Sequence, residues 1–198
     1  MKRKLTLFVM ILVLLVICSI PTVGEEKEKI ELKPVLLVMD VQNIWLPMMD
    51  EENRDAAQNN INEIIALFRE YNHPVVRVYH SEPDYGPEPG TEQFEFPETI
   101  DIRDDDPMIV KNHASAFTKT DLEKILREKD RNTLFICGLS ATGCALATYY
   151  GGLEREFMTL MVEGTLLSQN TSYTRAVEDF CRSVTIAELR ETFKDPGK

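Results

Sequence analysis

The fold of this chain follows from residues 35–40, which read VLLVMD. Five apolar residues in succession, without the alternation of a half-exposed strand, are typical of a strand buried on both faces of a parallel sheet. Asp40 stands where this strand ends, and in open α/β sheets the carboxyl ends of the strands face the ligand crevice. The stretch therefore predicts a buried first strand and a candidate site residue at its end.

The same pattern recurs downstream in alternation with amphipathic segments. Further strands are predicted at 75–80, 108–110, 133–137, 157–162 and 183–186, with helices at 60–71, 120–129, 142–153, 171–182 and the C-terminus. This alternation predicts an α/β fold with a three-layer, mainly parallel, Rossmann-like sheet and helices on both faces. Residues 81–107 are rich in Pro, Gly and acids and longer than an ordinary connection, so we expect a lid or substrate loop that decides specificity.

The N-terminal residues differ in composition from the rest. Three cations at positions 2–4 precede an apolar run at 5–20, and small residues follow at 22–24. This layout predicts a signal peptide over 1–24, with a retained membrane anchor as the alternative. Residues 25–33 are a charged tether, and 34–198 have the length of a single domain. We therefore predict export to the periplasm, the exterior or the outer side of a membrane, with membrane contact only through the N-terminal segment.

Charge and cysteine usage narrow the range of partners and chemistries. The chain has 33 acidic and 22 basic residues and a net charge of −11, which opposes nucleic acid as a partner. Beyond residue 24 three cysteines remain, Cys137, Cys144 and Cys181, without the close pairs of zinc sites. At least one thiol must therefore stay unpaired within the chain. Cys137, inside an apolar run, is predicted to be a core residue.

Three polar residues follow predicted strands and converge on one edge of the sheet: Asp40, Lys111 and Cys144. A thiol in the first turn of a helix beside an ammonium is expected to have a lowered pKa and to form a thiolate near neutral pH. Asp40 can then take the thiol proton and later deliver it to a leaving amine. Each residue also fits a purely structural role, as a cap, a surface amine or a small helix residue, so this pattern alone leaves that alternative open.

Three motifs resemble those of one family. Residues 38–45, VMDVQNIW, resemble the D-x-Q-x-x-aromatic opening of the isochorismatase-like hydrolases, which include nicotinamidases and N-carbamoylsarcosine amidases. Lys111 followed by SAFT at 115–118 is similar to the family lysine with its S-A-F-x-x-T stretch, and GLSATGC at 138–144 is similar to the G-x-x-T-x-x-C nucleophile turn. The motifs occur in the family's order and span most of the domain.

The resemblance implies a role for each matching residue. Cys144 is the nucleophile, Asp40 the general base and acid, and Lys111 the cation that orients and activates the thiol. It also implies a cis peptide bond between Leu139 and Ser140, with the N–H groups of Ser140 and Cys144 directed at a developing oxyanion. Because relatives are commonly homodimers or larger assemblies, it further implies a homo-oligomer.

One departure from the family pattern concerns metal binding. Nicotinamidases hold a metal with an Asp and several His near the second strand, whereas here only His80 matches. We therefore expect no metal and no cofactor, and we predict that His80 is a pocket wall or a hydrogen-bonded strand end. Trp45 and Phe117 are further candidates for the pocket wall.

The cysteine restricts the reaction, because acyl transfer to sulfur needs a carbonyl group. We predict a cysteine hydrolase that cleaves a C–N bond of a small amide or ureido compound. The alternatives are a noncatalytic module that binds a small molecule or a protein on the same fold, and a thiol-responsive redox protein, which the absence of a C-x-x-C pair disfavours.

Overall fold

A computed structural model describes residues 31–84 and 86–195. The predicted signal peptide and the tether up to residue 30 lie outside these residues. From Leu32 onward the chain forms one structural unit. None of its described helices combines the length and the apolar character needed to cross a membrane.

The centre of the unit is a sheet of six parallel strands in the order β3-β2-β1-β4-β5-β6. The strands are β1 Pro34–Met39, β2 Val75–His80, β3 Met108–Lys111, β4 Thr133–Leu139, β5 Met158–Leu167 and β6 Ser183–Val184. All residues of β1 are buried, and β1 pairs with β2 on one side and with β4 on the other. The strand order therefore reverses at β1, and the carboxyl ends of β1 and β4 flank the crevice where such sheets bind ligands.

Helices cover both faces of the sheet. They are α1 Glu51–Glu70, α2 Leu122–Glu128, α3 Leu146–Leu153, α4 Thr171–Phe180 and α5 Ile186–Lys194. Alternate residues of β1 enter two separate core clusters, one shared with α1 and α5 and the other with α2, α3 and α4. The predicted three-layer α/β architecture is confirmed.

Two elements are longer than predicted. Helix α1 begins at Glu51, where the Asp50 side chain accepts a hydrogen bond from the Glu52 N–H at 3.0 Å. Before Ile61 the helix buries only Ala57, so its first half lacks the apolar spacing that marks the second half. Strand β5 continues through the polar Glu163-Gly164 step, close to a register shift against β4 between Ile136 and Gly138.

The long segment 81–107 packs against the face of the sheet that α1 covers. Phe94 and Phe96 lie on the Tyr79 ring, with centroids 4.7 and 4.6 Å away, and Ile100 joins the same core cluster. Arg69 of α1 pairs with Asp106 at 2.9 Å and also with a second aspartate of the segment. These contacts make the segment part of the core.

Candidate active site

Asp40 is placed by the central strands. It follows β1 with a φ of 52°, its N–H donates to the Val78 carbonyl at 2.8 Å, and only 2% of its surface is exposed. On the other side of β1, Gly138 has a φ of 102°, and a Cβ there would lie 2.2 Å from the Met39 carbonyl oxygen. Glycine is therefore required at position 138 for β4 to approach the residue that precedes Asp40.

Lys111 ends β3 and is buried completely. Its Nζ donates to Asp40 Oδ2 at 2.8 Å and contacts His80 Nδ1 at 3.0 Å. A buried ammonium is stable only when its charge is paired and its protons are accepted. Two residues that are 71 positions apart in sequence, Asp40 and Lys111, thus form one ion pair at the sheet edge.

Cys144 lies in an irregular helical turn, Ala141–Ala145, between β4 and α3. Gly143 breaks the helical geometry of this turn with φ −113° and ψ −106°. The Cys144 Sγ, a carboxylate oxygen of Asp40 and a ring nitrogen of His80 all lie within 4.8 Å of one another. Asp40 Oδ1 accepts no hydrogen bond of regular geometry from the described residues, but the Cys144 thiol and the Asp40 carboxylate are close enough for each to affect the pKa of the other. The turn begins after the Leu139–Ser140 peptide bond, which is cis, as the family resemblance implies.

The electrostatics of the thiol differ from the sequence-based expectation. Burial and, second to it, the negative charge of Asp40 raise the pKa of Cys144 to about 12, against the opposing effect of Lys111. The prediction of a thiolate at neutral pH is therefore wrong, because desolvation and the carboxylate outweigh the ammonium and the helix end. Burial also raises the pKa of Asp40, against the opposing effect of Lys111. A thiol of this kind attacks a carbonyl only if its proton is transferred to a base as the bond forms.

The same three donors form the one potential metal-ligating group within 31–84 and 86–195: Asp40, His80 and Cys144. However, Lys111 already contacts Asp40 Oδ2 and His80 Nδ1. A metal cation held by these donors would lie beside the buried Lys111 ammonium, and the two positive charges would repel each other where little solvent screens them. The donor set therefore does not fit a metal ion, and Lys111 supplies the positive charge of the site.

A pocket of about 410 Å³ opens above these residues. Its lining combines the polar groups of the site with apolar side chains that follow β1, end β4 and begin α4: Asp40, Trp45, Met48, Met49, His80, Leu139, Ser140, Thr142, Gly143, Cys144, Gln169 and Tyr173. Trp45 and His80 line it as predicted.

Two sequence-based expectations about the pocket are not met. Phe117 is absent from the lining and packs instead on Phe157, with ring centroids 5.8 Å apart, on the opposite core face. No described residue of 81–107 lines the pocket, so the expectation that this segment decides specificity is not supported. The lining residues Met48, Met49, Gln169 and Tyr173 were missed. Gln169 and Tyr173 follow β5, which ends later than predicted. With the correct end of this strand, the sequence would have placed both residues at the sheet edge that binds ligands.

The parallel sheet, with a thiol, a carboxylate and an ammonium that meet at its edge, defines an α/β protein with a candidate hydrolase site. The chain belongs to the isochorismatase family, whose Isochorismatase domain matches residues 34–183.

Relatives by sequence include the isochorismatase family protein YddQ of Bacillus subtilis, 31% identical over 133 residues, covering 65% of this chain and 74% of the relative. Another is the secreted isochorismatase effector Isc1 of Verticillium dahliae, 24% identical, covering 80% of this chain and 84% of the relative.

Solved structures share the fold. An isochorismatase-like hydrolase of Alkaliphilus metalliredigens has a TM-score of 0.76 at 16% identity, covering 84% of this chain and 93% of the other. The pyrazinamidase of Pyrococcus horikoshii in complex with zinc has a TM-score of 0.68 at 23% identity, with coverages of 78% and 99%. A cysteine hydrolase of Pseudomonas syringae pv. phaseolicola has a TM-score of 0.67 at 19% identity, with coverages of 84% and 94%.

Proposed function

We propose that this isochorismatase-family hydrolase is a cysteine hydrolase that cleaves a C–N bond of a small amide or ureido compound through a thioester. The observation that carries the proposal is the position of Cys144 within 4.8 Å of the Asp40 carboxylate, one oxygen of which has no hydrogen-bond partner among the described residues, in the lining of a pocket of small-molecule size. A neutral thiol beside a buried carboxylate that is held by an ammonium has both the nucleophile and the base that acyl transfer needs.

The reaction proceeds in two halves. The Cys144 sulfur attacks the carbonyl carbon while its proton moves to Asp40, and the N–H groups of Ser140 and Cys144 stabilise the oxyanion. The C–N bond then breaks, and Asp40 delivers its proton to the departing nitrogen. Water attacks the thioester, its proton moves to Asp40, and the acid product leaves as the proton returns to the sulfur. Lys111 keeps Asp40 Oδ2 in place throughout, so that Oδ1 carries the proton.

The pocket lining supports a neutral substrate. Trp45, Met48, Met49, Leu139 and Tyr173 contribute apolar surface. Within the described part of the chain no Arg or Lys lines the pocket, and Lys111 beneath it is fully buried and paired with Asp40. An anionic substrate would therefore lose its hydration without gaining a counter-charge. A primary carboxamide or a urea derivative with an apolar group is the class that fits.

Location and assembly complete the proposal. The signal-like segment 1–24 and the secreted fungal relative support export. The half-exposed apolar side chains of Tyr150 and Leu153 on α3 and Phe180 on α4 support self-association into a homo-oligomer.

The test is intact-mass spectrometry of the full chain, with assay of released ammonia, after incubation with a panel of neutral amides and ureides. Wild type is compared with Cys144→Ala, and Cys181→Ser is the matched control for loss of a thiol away from the pocket. We expect a transient acyl adduct and ammonia release in wild type and in Cys181→Ser, and neither of them in Cys144→Ala. Undiminished turnover by Cys144→Ala would refute the mechanism, and saturable binding of a panel compound without ammonia release would establish a binding module instead.

A further inference from the structure

His80 connects the buried Lys111 to an acidic side chain that lies outside the pocket. Its Nδ1 is 3.0 Å from Lys111 Nζ, and its Nε2 is 2.9 Å from Glu82 Oε1. An ammonium group can only donate hydrogen bonds, so Nδ1 must be the unprotonated acceptor. The single ring proton then lies on Nε2 and is donated to the Glu82 carboxylate. Lys111 and Glu82 together select one neutral tautomer of His80.

The imidazole is also fixed through its backbone and its ring face. The Gln42 side chain donates to the His80 carbonyl at 3.0 Å and accepts from the His80 N–H at 2.8 Å. These two bonds tie the end of β2 to the residues that follow β1. The Trp45 ring contacts the imidazole edge-on, with centroids 6.0 Å apart.

We propose that His80, oriented by Glu82, is a positioning residue that holds the Lys111 ammonium against Asp40 and next to the Cys144 thiol. This inference rests on the proposed function for its effect on catalysis. The lysine stem is flexible, and its ammonium is fixed only by the groups that accept its protons. Asp40 accepts one proton and His80 a second, which leaves the third directed away from both. Without the acceptor on His80, the ammonium can rotate away and release Asp40 Oδ2.

Nitrogen NMR of the full chain labelled at its histidines tests the tautomer without any substrate. The protein has three histidines, and the signals missing from His80→Asn identify those of His80. At neutral pH we expect an unprotonated Nδ1 and a protonated Nε2, with a change at Nδ1 in Lys111→Met and at Nε2 in Glu82→Ala. A ring protonated at Nδ1 would overturn the inference, whether or not the protein proves to be a hydrolase.

Variants at position 80 test the effect on catalysis. In His80→Asn the side-chain oxygen can occupy the place of Nδ1, whereas His80→Gln and His80→Leu provide no acceptor there. We expect kcat to fall about 10- to 100-fold in the Gln and Leu variants with KM within about twofold, and to be largely kept in the Asn variant. Equal losses of kcat in all three variants would show that His80 serves only the packing of the site.

Discussion

At the scale of single residues, the two oxygens of Asp40 have different surroundings. Oδ2 accepts a hydrogen bond from Lys111 at 2.8 Å, while Oδ1 has no partner among the described residues. Lys111 therefore holds Oδ2 in place, and Oδ1 is left to transfer the proton. Burial raises the pKa of both Asp40 and Cys144, so the base is strengthened and the thiol stays protonated until substrate arrives.

The substitution Asp40→Asn separates the two effects of the carboxylate. Removing its negative charge should lower the pKa of the thiol, because Asp40 raises that pKa and Lys111, then unpaired, lowers it. We therefore expect faster alkylation of Cys144 by iodoacetamide near neutral pH, by about tenfold, together with a loss of at least about 100-fold in amide turnover. Peptide mapping measures the alkylation, with Cys181 as the internal reference. Slower alkylation in Asp40→Asn than in wild type would contradict this account of the thiol.

The pH dependence of turnover follows from the same carboxylate. Asp40 must be unprotonated to accept the thiol proton, and burial raises its pKa above the usual 3.8. Activity should therefore be lost as the pH falls through this raised value, at a higher pH than for an ordinary aspartate. The pH profile of kcat/KM measures this step. An acid limb near the ordinary aspartate value would mean that another group is the base.

At the scale of elements, the segment 81–107 and the loops that line the pocket have separate tasks. Phe94 lies 2% exposed in the core and stacks on Tyr79, whereas Tyr173, at the start of α4, lines the pocket and is 55% exposed. Phe94→Ala should lower the free energy of unfolding by about 3–5 kcal/mol and leave the relative turnover of panel substrates unchanged. Tyr173→Ala should change these relative rates with little loss of stability. Urea unfolding measures the stability of each variant, and turnover of several panel substrates measures their relative rates. A changed substrate preference in Phe94→Ala would show that segment 81–107 does affect specificity.

The sequence allowed the prediction of most elements, because their signals are local. Strands β1, β2 and β4 are continuous apolar runs, and Asp40, Lys111 and Cys144 follow strands whose ends meet in a parallel sheet. The sequence does not reveal which face of a later loop turns to the pocket. Phe117 was therefore placed at the site although it packs in the core, and Gln169 and Tyr173 were missed. The direction of the thiol pKa also depends on burial, which appears only in the folded chain.

At the scale of the whole molecule, the buried thiols link folding to pH. Burial raises the pKa of Cys144 to about 12 in the folded chain, against 9.0 for an exposed thiol, and it raises the pKa of Cys137 as well. A group whose pKa is raised by folding contributes stability that is complete below its unfolded pKa and is lost as the pH rises through its folded pKa. The window of loss for Cys144 therefore runs from about pH 9 to about pH 12.

The protein should accordingly lose stability in alkali, and Cys144 should account for part of the loss. Between about pH 8 and about pH 10.5, we expect the contribution of Cys144 to the free energy of unfolding to fall by about 1–2 kcal/mol. Each pH unit inside the window is equivalent to about 1.4 kcal/mol for a fully buried thiol, and the partial exposure of Cys144 reduces this value. Urea unfolding at both values measures the change, and Cys144→Ser, which keeps the shape but does not titrate there, should show a smaller loss. The remaining loss in that variant belongs to Cys137 and other buried acids. If wild type and Cys144→Ser lose the same stability, the thiol is not desolvated in the folded chain, and the argument for proton transfer to Asp40 fails with it.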